Sequence, residues 1–149
     1  MAESKEHPTG YDVLRDPRLN KGTAFTAAER RKYHLEGLLP PAVTNMELQA
    51  ARRHTEIANL GDDLQKYLVL SDLQARNETL FYAVVMSDPA TYMPLVYTPT
   101  VGEACQNFAH IFREARGMFL PISARGRLRE ILGNWAEKDV RFIVATDGE

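Results

Sequence analysis

Apolar side chains recur at the three- and four-residue spacing of amphipathic helices over most of this chain. Two stretches show the pattern most clearly, and each places its apolar side chains on one stripe. The first stripe is Leu64, Tyr67, Leu68 and Leu70, and the second is Leu80, Phe81, Val84 and Val85. The pattern as a whole predicts helices over about residues 26–35, 44–59, 64–73, 76–86, 100–116 and 123–136.

Three Thr-x-x-Glu pairs predict where helices begin. In such a capping box, the threonine oxygen accepts a hydrogen bond from an early backbone N–H, and the glutamate accepts one from the threonine N–H. The pairs are Thr26 with Glu29, Thr44 with Glu47, and Thr100 with Glu103. The glycines that follow these stretches predict helix ends, because glycine readily adopts the left-handed conformation found there.

The two ends of the chain differ from this helical middle. Residues 1–25 hold many turn-forming residues and few apolar ones, which predicts an extended arm. Val140–Val144 has the composition of a strand, and a strand without a neighbour leaves its backbone polar groups unpaired. We therefore predict a mainly α fold with a helical domain over 26–116. Residues 117–149 are expected to be the first helix and strand of an incomplete, truncated α/β domain.

Composition and charge exclude several classes of partner. The 149 residues are 44% hydrophobic and 26% charged, as in one globular domain. The net charge of −2 gives no reason to expect a nucleic acid or an anionic membrane. One cysteine cannot form an internal disulfide, and the sequence predicts no signal peptide, transit sequence or membrane-spanning run. These features predict a cytoplasmic protein.

Most common catalytic and cofactor motifs are absent from the sequence. The nine glycines never form G-x-G or a P-loop, so no nucleotide-binding turn is predicted. The histidines show no metal-ligand spacing and are expected on solvated or half-buried helix faces; they are His7, His34, His54 and His110. Cys105 is expected to be a small buried residue. We therefore predict neither a metal site nor a cofactor site within these residues.

One segment, residues 94–103, combines features that favour chemistry. Pro94 and Pro99 predict an extended path into a helix start, with Tyr97 on that path. The N–H groups of a helix start favour an anion, so Tyr97 is a candidate proton donor beside an anionic substrate. A phenol is a weak acid in that role unless a cation stabilises its phenolate. A buried tyrosine in a rigid connection is the simpler interpretation of the same residues.

The string YTPTVGEAC, which starts at Tyr97, resembles the signature of malic enzymes. Other strings match the same family pattern in the same order, and together they cover nearly everything from Gly10 onward. They are GTAFTAAERRKYHLEGLLPPAV from Gly22, LQAARRH from Leu48, QARNETLFY from Gln74, GMFLPISARGRLREILGNW from Gly117, and the closing VATDGE. The resemblance implies the N-terminal part of an enzyme that oxidises and decarboxylates malate to pyruvate, with NAD or NADP and Mg²⁺ or Mn²⁺.

By this resemblance, Tyr97 corresponds to the family's general acid. It would give a proton to the carbon of enolpyruvate after hydride transfer and loss of carbon dioxide, completing the conversion to pyruvate. The family's general-base lysine, carboxylate-binding arginine, metal ligands and dinucleotide domain would all follow Glu149. The 149 residues alone are therefore expected to be inactive and to bind no cofactor.

The resemblance also implies partners. Family members form dimers or tetramers partly through this domain, so a homodimer or homotetramer is expected. Some animal malic enzymes bind fumarate at a subunit interface through a glutamine and two arginines, and Gln49, Arg52 and Arg76 stand at the matching places. Two arginines suit a dicarboxylate, because each guanidinium can bind one carboxylate with two hydrogen bonds. A solvated helix face is the alternative interpretation of these three residues.

Two other functions compete with this one. A malolactic enzyme, which decarboxylates malate to lactate, would carry aspartate where Thr98 stands, so this position favours a malic enzyme. A free-standing interaction or oligomerisation module could keep the helical domain without its chemistry. The gene sequence would distinguish these two hypotheses. A reading frame that continues into a dinucleotide-binding fold would exclude the interaction module.

Overall fold

The computed structural model describes residues 7–137 and 139–146 of the chain. The first six residues of the predicted arm and the last three of the closing motif lie outside this description. In the described ranges the helices are α1 (Tyr11–Arg15), α2 (Ala27–Lys32), α3 (Met46–Ala58), α4 (Asp63–Arg76), α5 (Glu78–Ser87), α6 (Pro89–Val96), α7 (Thr100–Gln106), α8 (Phe108–Ile111) and α9 (Leu128–Leu132). Short 3₁₀ turns form at Gly22–Ala24 and Ile122–Ala124. The mainly helical fold is confirmed.

The chain divides into two compact units, Met1–Phe112 and Arg113–Glu149. The first unit holds α1 to α8, and its main core is formed by α3, α4, α5 and α6. The buried members of this core are Ala50, Ile57, Leu70, Leu73, Leu80, Phe81, Val84, Val85, Tyr92 and Leu95. All four residues of the stripe predicted on α5 are among them, so that prediction is confirmed.

Side chains of polar residues begin the central helices. Asn45 accepts from the Leu48 N–H at 2.8 Å to begin α3, and Asp62 accepts from the Gln65 N–H at 2.7 Å to begin α4. The predicted cap at Thr44 is wrong, because its hydroxyl is hydrogen-bonded to Thr23 Oγ1 at 2.6 Å instead. Asparagine and aspartate are among the strongest N-cap residues, so the outcome follows from a known preference.

The capping box predicted at Thr26 and Glu29 is confirmed in full. Thr26 Oγ1 accepts from the Glu29 N–H at 3.2 Å, and Glu29 Oε2 accepts from the Thr26 N–H at 2.9 Å. Helix α2 ends at Lys32, three residues before the predicted end. Leu35 lies beyond the helix and is completely buried.

The described part of the predicted arm, residues 7–25, differs from the extended form that the sequence predicts. Val13 and Phe25 are almost fully buried and form a second apolar cluster with Leu35. The Gly10 N–H also donates to the Tyr33 carbonyl at 2.7 Å. Two well-placed apolar side chains are thus enough to pack this turn-rich segment against α2, because each fully buried one contributes about 1.5–3 kcal/mol.

The long helix predicted over residues 100–116 is wrong. The helix is interrupted at Asn107, and the chain leaves helical geometry at Phe112. Asn107 Nδ2 donates to the Glu103 carbonyl at 3.0 Å, the same carbonyl that accepts the Asn107 backbone N–H. An asparagine side chain that bonds to the local backbone competes with the helix in this way.

The second unit departs furthest from the sequence-based prediction. The helix predicted over 123–136 is reduced to a 3₁₀ turn and α9, because Gly126 between them has a φ of +88°, outside helical geometry. Residues 140–144 have no regular secondary structure, so the predicted strand is not confirmed. A strand needs hydrogen-bonding partners, and no strand occurs in the described ranges of the chain to supply them.

None of the helices in the described ranges is long and apolar enough to cross a membrane.

Candidate functional site

Tyr97 lies at the junction between α6 and α7. Its backbone N–H donates to the Met93 carbonyl at 2.9 Å, and its carbonyl accepts from the Val101 N–H at 2.8 Å. The backbone of Tyr97 is therefore hydrogen-bonded to both helices, which pack on each other and on α4. Its conformation, with φ of −133° and ψ of −144°, ends α6 and directs the chain into the following turn.

The side chain of Tyr97 is 65% exposed. No residue in the described part of the chain forms a hydrogen bond with its hydroxyl or stacks on its ring. The simpler interpretation, a buried tyrosine in a rigid connection, is therefore wrong. An exposed, unpaired phenol is available to a ligand or to another part of a larger protein.

The path to Tyr97 is helical and not extended as predicted. Residues 89–96 form α6, with Pro89 in its first turn and Asp88 Oδ1 accepting from the Thr91 N–H at 3.3 Å. Proline suits the first turn of a helix because the missing N–H has no partner there in any case. The sequence pattern of an N-cap followed by proline was present at Asp88 and Pro89 and would have predicted this helix.

The start of α7 also differs from the prediction. Pro99, joined to Thr98 by a cis peptide bond, precedes the helix, and Thr100 makes no capping hydrogen bond. Thr100 is buried instead, together with Ala104 one turn later. Gly102 lies on the open side of the helix, where an added Cβ would meet no atom within 4 Å.

Cys105 is exposed, so the prediction of a buried thiol is wrong. Successive helical residues are turned by about 100°, so Cys105 lies off the face on which Thr100 and Ala104 are buried. Among the described residues, no group of three histidine, cysteine, aspartate or glutamate side chains is arranged to hold a metal ion.

The three residues expected to bind fumarate lie on two helices. Gln49 and Arg52 are on α3, and Arg76 is the last residue of α4. The amide of Gln49 is hydrogen-bonded to the chain itself, with Nε2 donating to the Lys21 carbonyl at 3.0 Å and Oε1 accepting from the Thr23 N–H at 3.4 Å. Arg52 is exposed, and Arg76 pairs with Asp72 at 3.8 Å. Both guanidinium groups thus remain accessible to solvent.

The structure shows a polar cluster that the sequence analysis missed. His54 of α3 is hydrogen-bonded through Nδ1 to the Tyr92 hydroxyl at 2.5 Å and through Nε2 to Ser87 Oγ at 3.0 Å. Burial, and then the negative charge of Asp88, raise the pKa of the Tyr92 phenol. The two partners of His54 are 33 and 38 residues away in the sequence, so no spacing rule could have found them.

A pocket of about 220 Å³ lies elsewhere, beside the second apolar cluster, and does not include Tyr97. Its lining comes from residues 7–25 and from Tyr33, which follows α2. The residues are His7, Pro8, Val13, Arg18, Leu19, Lys21, Phe25 and Tyr33. Lys21 is already paired with Glu29 at 2.5 Å, so its charge is compensated within the chain.

Comparison with known families decides the relationship. The family described as "Malic enzyme, N-terminal domain" matches residues 74–149, which include Tyr97 and the junction around it. The chain belongs to the malic enzyme family.

Similarity to individual malic enzymes extends over almost the whole chain. The chain is 48% identical over 141 residues to NADP-dependent malic enzyme 1 of Arabidopsis thaliana. The aligned region covers 95% of this chain and 24% of that protein. It is 49% identical over 143 residues to the NADP-dependent malic enzyme of Mus musculus, covering 96% of this chain and 25% of that protein. The chain thus spans about a quarter of the length of these relatives.

Proposed function

We propose that this chain forms part of an NADP-dependent malic enzyme, which converts malate to pyruvate and carbon dioxide with Mg²⁺ or Mn²⁺. The observation that supports this most is the identity of 44–49% to NADP-dependent malic enzymes over at least 95% of the chain. The name of these relatives also favours NADP over NAD. Thr98, where a malolactic enzyme carries aspartate, favours oxidation to pyruvate.

Within that reaction, Tyr97 is the general acid. Its exposed and unpaired hydroxyl is free to approach a substrate, and its backbone is held by α6 and α7. The phenol gives its proton to the carbon of enolpyruvate, which becomes the methyl group of pyruvate. Since an ordinary phenol titrates near pH 10, a cation must stabilise the phenolate. The family's general-base lysine, expected elsewhere in the enzyme, is the candidate for this cation.

The cofactors are assigned to other parts of the enzyme. When bound, NADP would supply the hydride acceptor, and the divalent metal would supply positive charge at the substrate oxygens. The described residues contain no ligand cluster for the metal. We therefore expect the 149 residues alone to show no malate-dependent reduction of NADP, and turnover by the purified chain would contradict this.

Replacing Tyr97 with phenylalanine in the full-length protein tests the assignment. We expect kcat to fall about 10²–10⁴-fold, the usual contribution of a general acid, while KM for malate changes little. Exchange of solvent deuterium into the methyl group of added pyruvate, which requires enolisation on the enzyme, should also stop, as measured by NMR in D₂O. Tyr11→Phe is the matched control, because Tyr11 is an exposed tyrosine of α1. Unchanged deuterium exchange in Tyr97→Phe would refute the proposed role.

A subunit interface is a second part of the proposal. Exposed apolar side chains favour it, because large apolar patches often mark protein contacts. In the first unit, Tyr82 and Met86 lie one turn apart on α5 and are 49% and 73% exposed. The same observation is what an interaction module without chemistry would show, and the Tyr97→Phe experiment distinguishes the two functions.

A further inference from the structure

Helix α6, which ends at Tyr97, has little hydrogen bonding of its own. It has eight residues, and Pro94 inside it lacks the N–H that would bond to the Ala90 carbonyl. Short helices in water depend on tertiary contacts for their stability. For α6 these contacts come mainly from the two buried side chains, Tyr92 and Leu95.

The hydroxyl of Tyr92 links α6 to α3 through a hydrogen bond. Helix α6 packs on α4, α5 and α7, while α3 packs on α5. The hydrogen bond from Tyr92 to His54 therefore connects α6 to α3, and the two rings also lie 5.3 Å apart between centroids. Ser87, the last residue of α5, holds the other side of the imidazole. Three helices thus meet at His54.

The hydrogens of this cluster can be assigned from its geometry. The Ser87 hydroxyl donates to the Val84 carbonyl at 2.7 Å, so Ser87 Oγ must accept from His54 Nε2–H. The other ring nitrogen, Nδ1, is then free to accept from the Tyr92 hydroxyl. The raised pKa of Tyr92 keeps this phenol protonated and able to donate. Because Ser87 gives its hydrogen to a carbonyl, the cluster is a fixed structural network and no nucleophile.

We propose that His54 is a positioning residue for Tyr97, acting by fixing Tyr92 and with it the end of α6. Tyr92 and Met93 are neighbours, and the Met93 carbonyl holds the Tyr97 N–H. A shift at Tyr92 therefore reaches Tyr97 through the backbone of one short helix. A displacement of about 1 Å at a reacting group can reduce a rate about 100-fold. This inference rests on the role proposed for Tyr97.

Two substitutions in the full-length enzyme test it, and both leave Tyr97 intact. Tyr92→Phe removes the hydroxyl and keeps the buried ring, and His54→Ala removes the acceptor. In both we expect kcat and deuterium exchange into the pyruvate methyl group to fall about tenfold or more. KM for malate should stay within about twofold, since Tyr97 acts after malate has bound. His54→Asn, whose carboxamide oxygen can replace Nδ1 as acceptor, should recover part of the lost rate.

Thr55→Ala is the matched control. Thr55 is the next residue of α3, and its hydroxyl donates only within the helix, to the Ala51 carbonyl at 3.1 Å. It should change the melting temperature without changing deuterium exchange. If Tyr92→Phe and His54→Ala lower the melting temperature but leave kcat and exchange within about twofold, the positioning role is refuted. Tyr97→Phe, measured in parallel, separates this failure from failure of the proposed function, because only the latter leaves Tyr97→Phe active.

Discussion

Arg30 shows how much one side chain can organise in this chain. Its guanidinium is buried and donates to backbone carbonyls of two separate segments. The acceptors are the carbonyls of Thr23, Phe25, Pro40, Pro41 and Ala42, at 2.6–3.5 Å. The planar fork of five N–H donors makes arginine suited to this task, and lysine could not replace it. In the sequence, Arg30 is indistinguishable from the exposed basic residues beside it.

Gln49 and Arg52 are the residues on which the effector proposal can be tested most directly. Gln49 already bonds to the chain itself, so a dicarboxylate has to rely chiefly on the guanidinium groups of Arg52 and Arg76. We expect fumarate to release or absorb heat on titration into the full-length enzyme, and Arg52→Ala to weaken this binding at least tenfold, since charge-assisted bonds contribute about 1.5–3 kcal/mol.

Arg53→Ala is the control for that experiment. Arg53 is the neighbour of Arg52 and pairs with Glu56 one turn along α3. Its loss should leave the heat of fumarate binding unchanged. Absence of any heat with the unaltered enzyme would end the effector proposal.

The beginning of α2 makes stability depend on pH. A hydrogen bond from Lys21, and then one from the Thr26 backbone, lower the pKa of Glu29 from its usual 4.5. A carboxyl whose pKa is lower in the folded state stabilises the fold above that usual value, and this contribution is lost as the pH falls through the lowered pKa.

Glu29→Gln should therefore remove this dependence. We expect the free energy of unfolding of the unaltered chain to fall more steeply below pH 4.5 than that of the variant, as measured by urea denaturation at several pH values. Glu36→Gln is the control, because Glu36 is 64% exposed and lies 4.0 Å from its partner Arg31. Parallel curves for the unaltered chain and Glu29→Gln would contradict the prediction.

The sequence predicts a helix correctly where the apolar stripe or the capping hydrogen bonds involve residues within one or two helical turns of each other. The stripe of α5 and the capping box of α2 were found because both depend on residues within ten positions of one another. The prediction of one helix over 100–116 is wrong because the helix is interrupted at Asn107, whose side chain also donates to the Glu103 carbonyl, and composition does not reveal this. Asp88 and Pro89 form a typical helix start, but Pro94 favours an extended path, so the sequence pattern does not predict α6.

At the scale of the whole molecule, the exposed apolar side chains of this chain predict the oligomeric state of the full-length protein. In the first unit, Tyr82, Met86 and Met93 are 47–73% exposed. Exposed apolar side chains of this size favour contact with other protein. We expect the full-length protein to have the mass of two or four subunits by light scattering, unchanged on dilution to about 1 μM. A monomer at that concentration would exclude the proposed interface.

Family, helical class and the candidate tyrosine followed from residues close together in the chain, because capping, periodicity and the YTPTVGEAC string are local. The burial of Arg30, the exposure of Tyr97 and Cys105, and the contact of His54 with Tyr92 and Ser87 depended on the tertiary structure. These features join residues 5 to 38 positions apart, or depend on which side of a short helix faces the core. No local pattern encodes such contacts, since they form only when the helices pack.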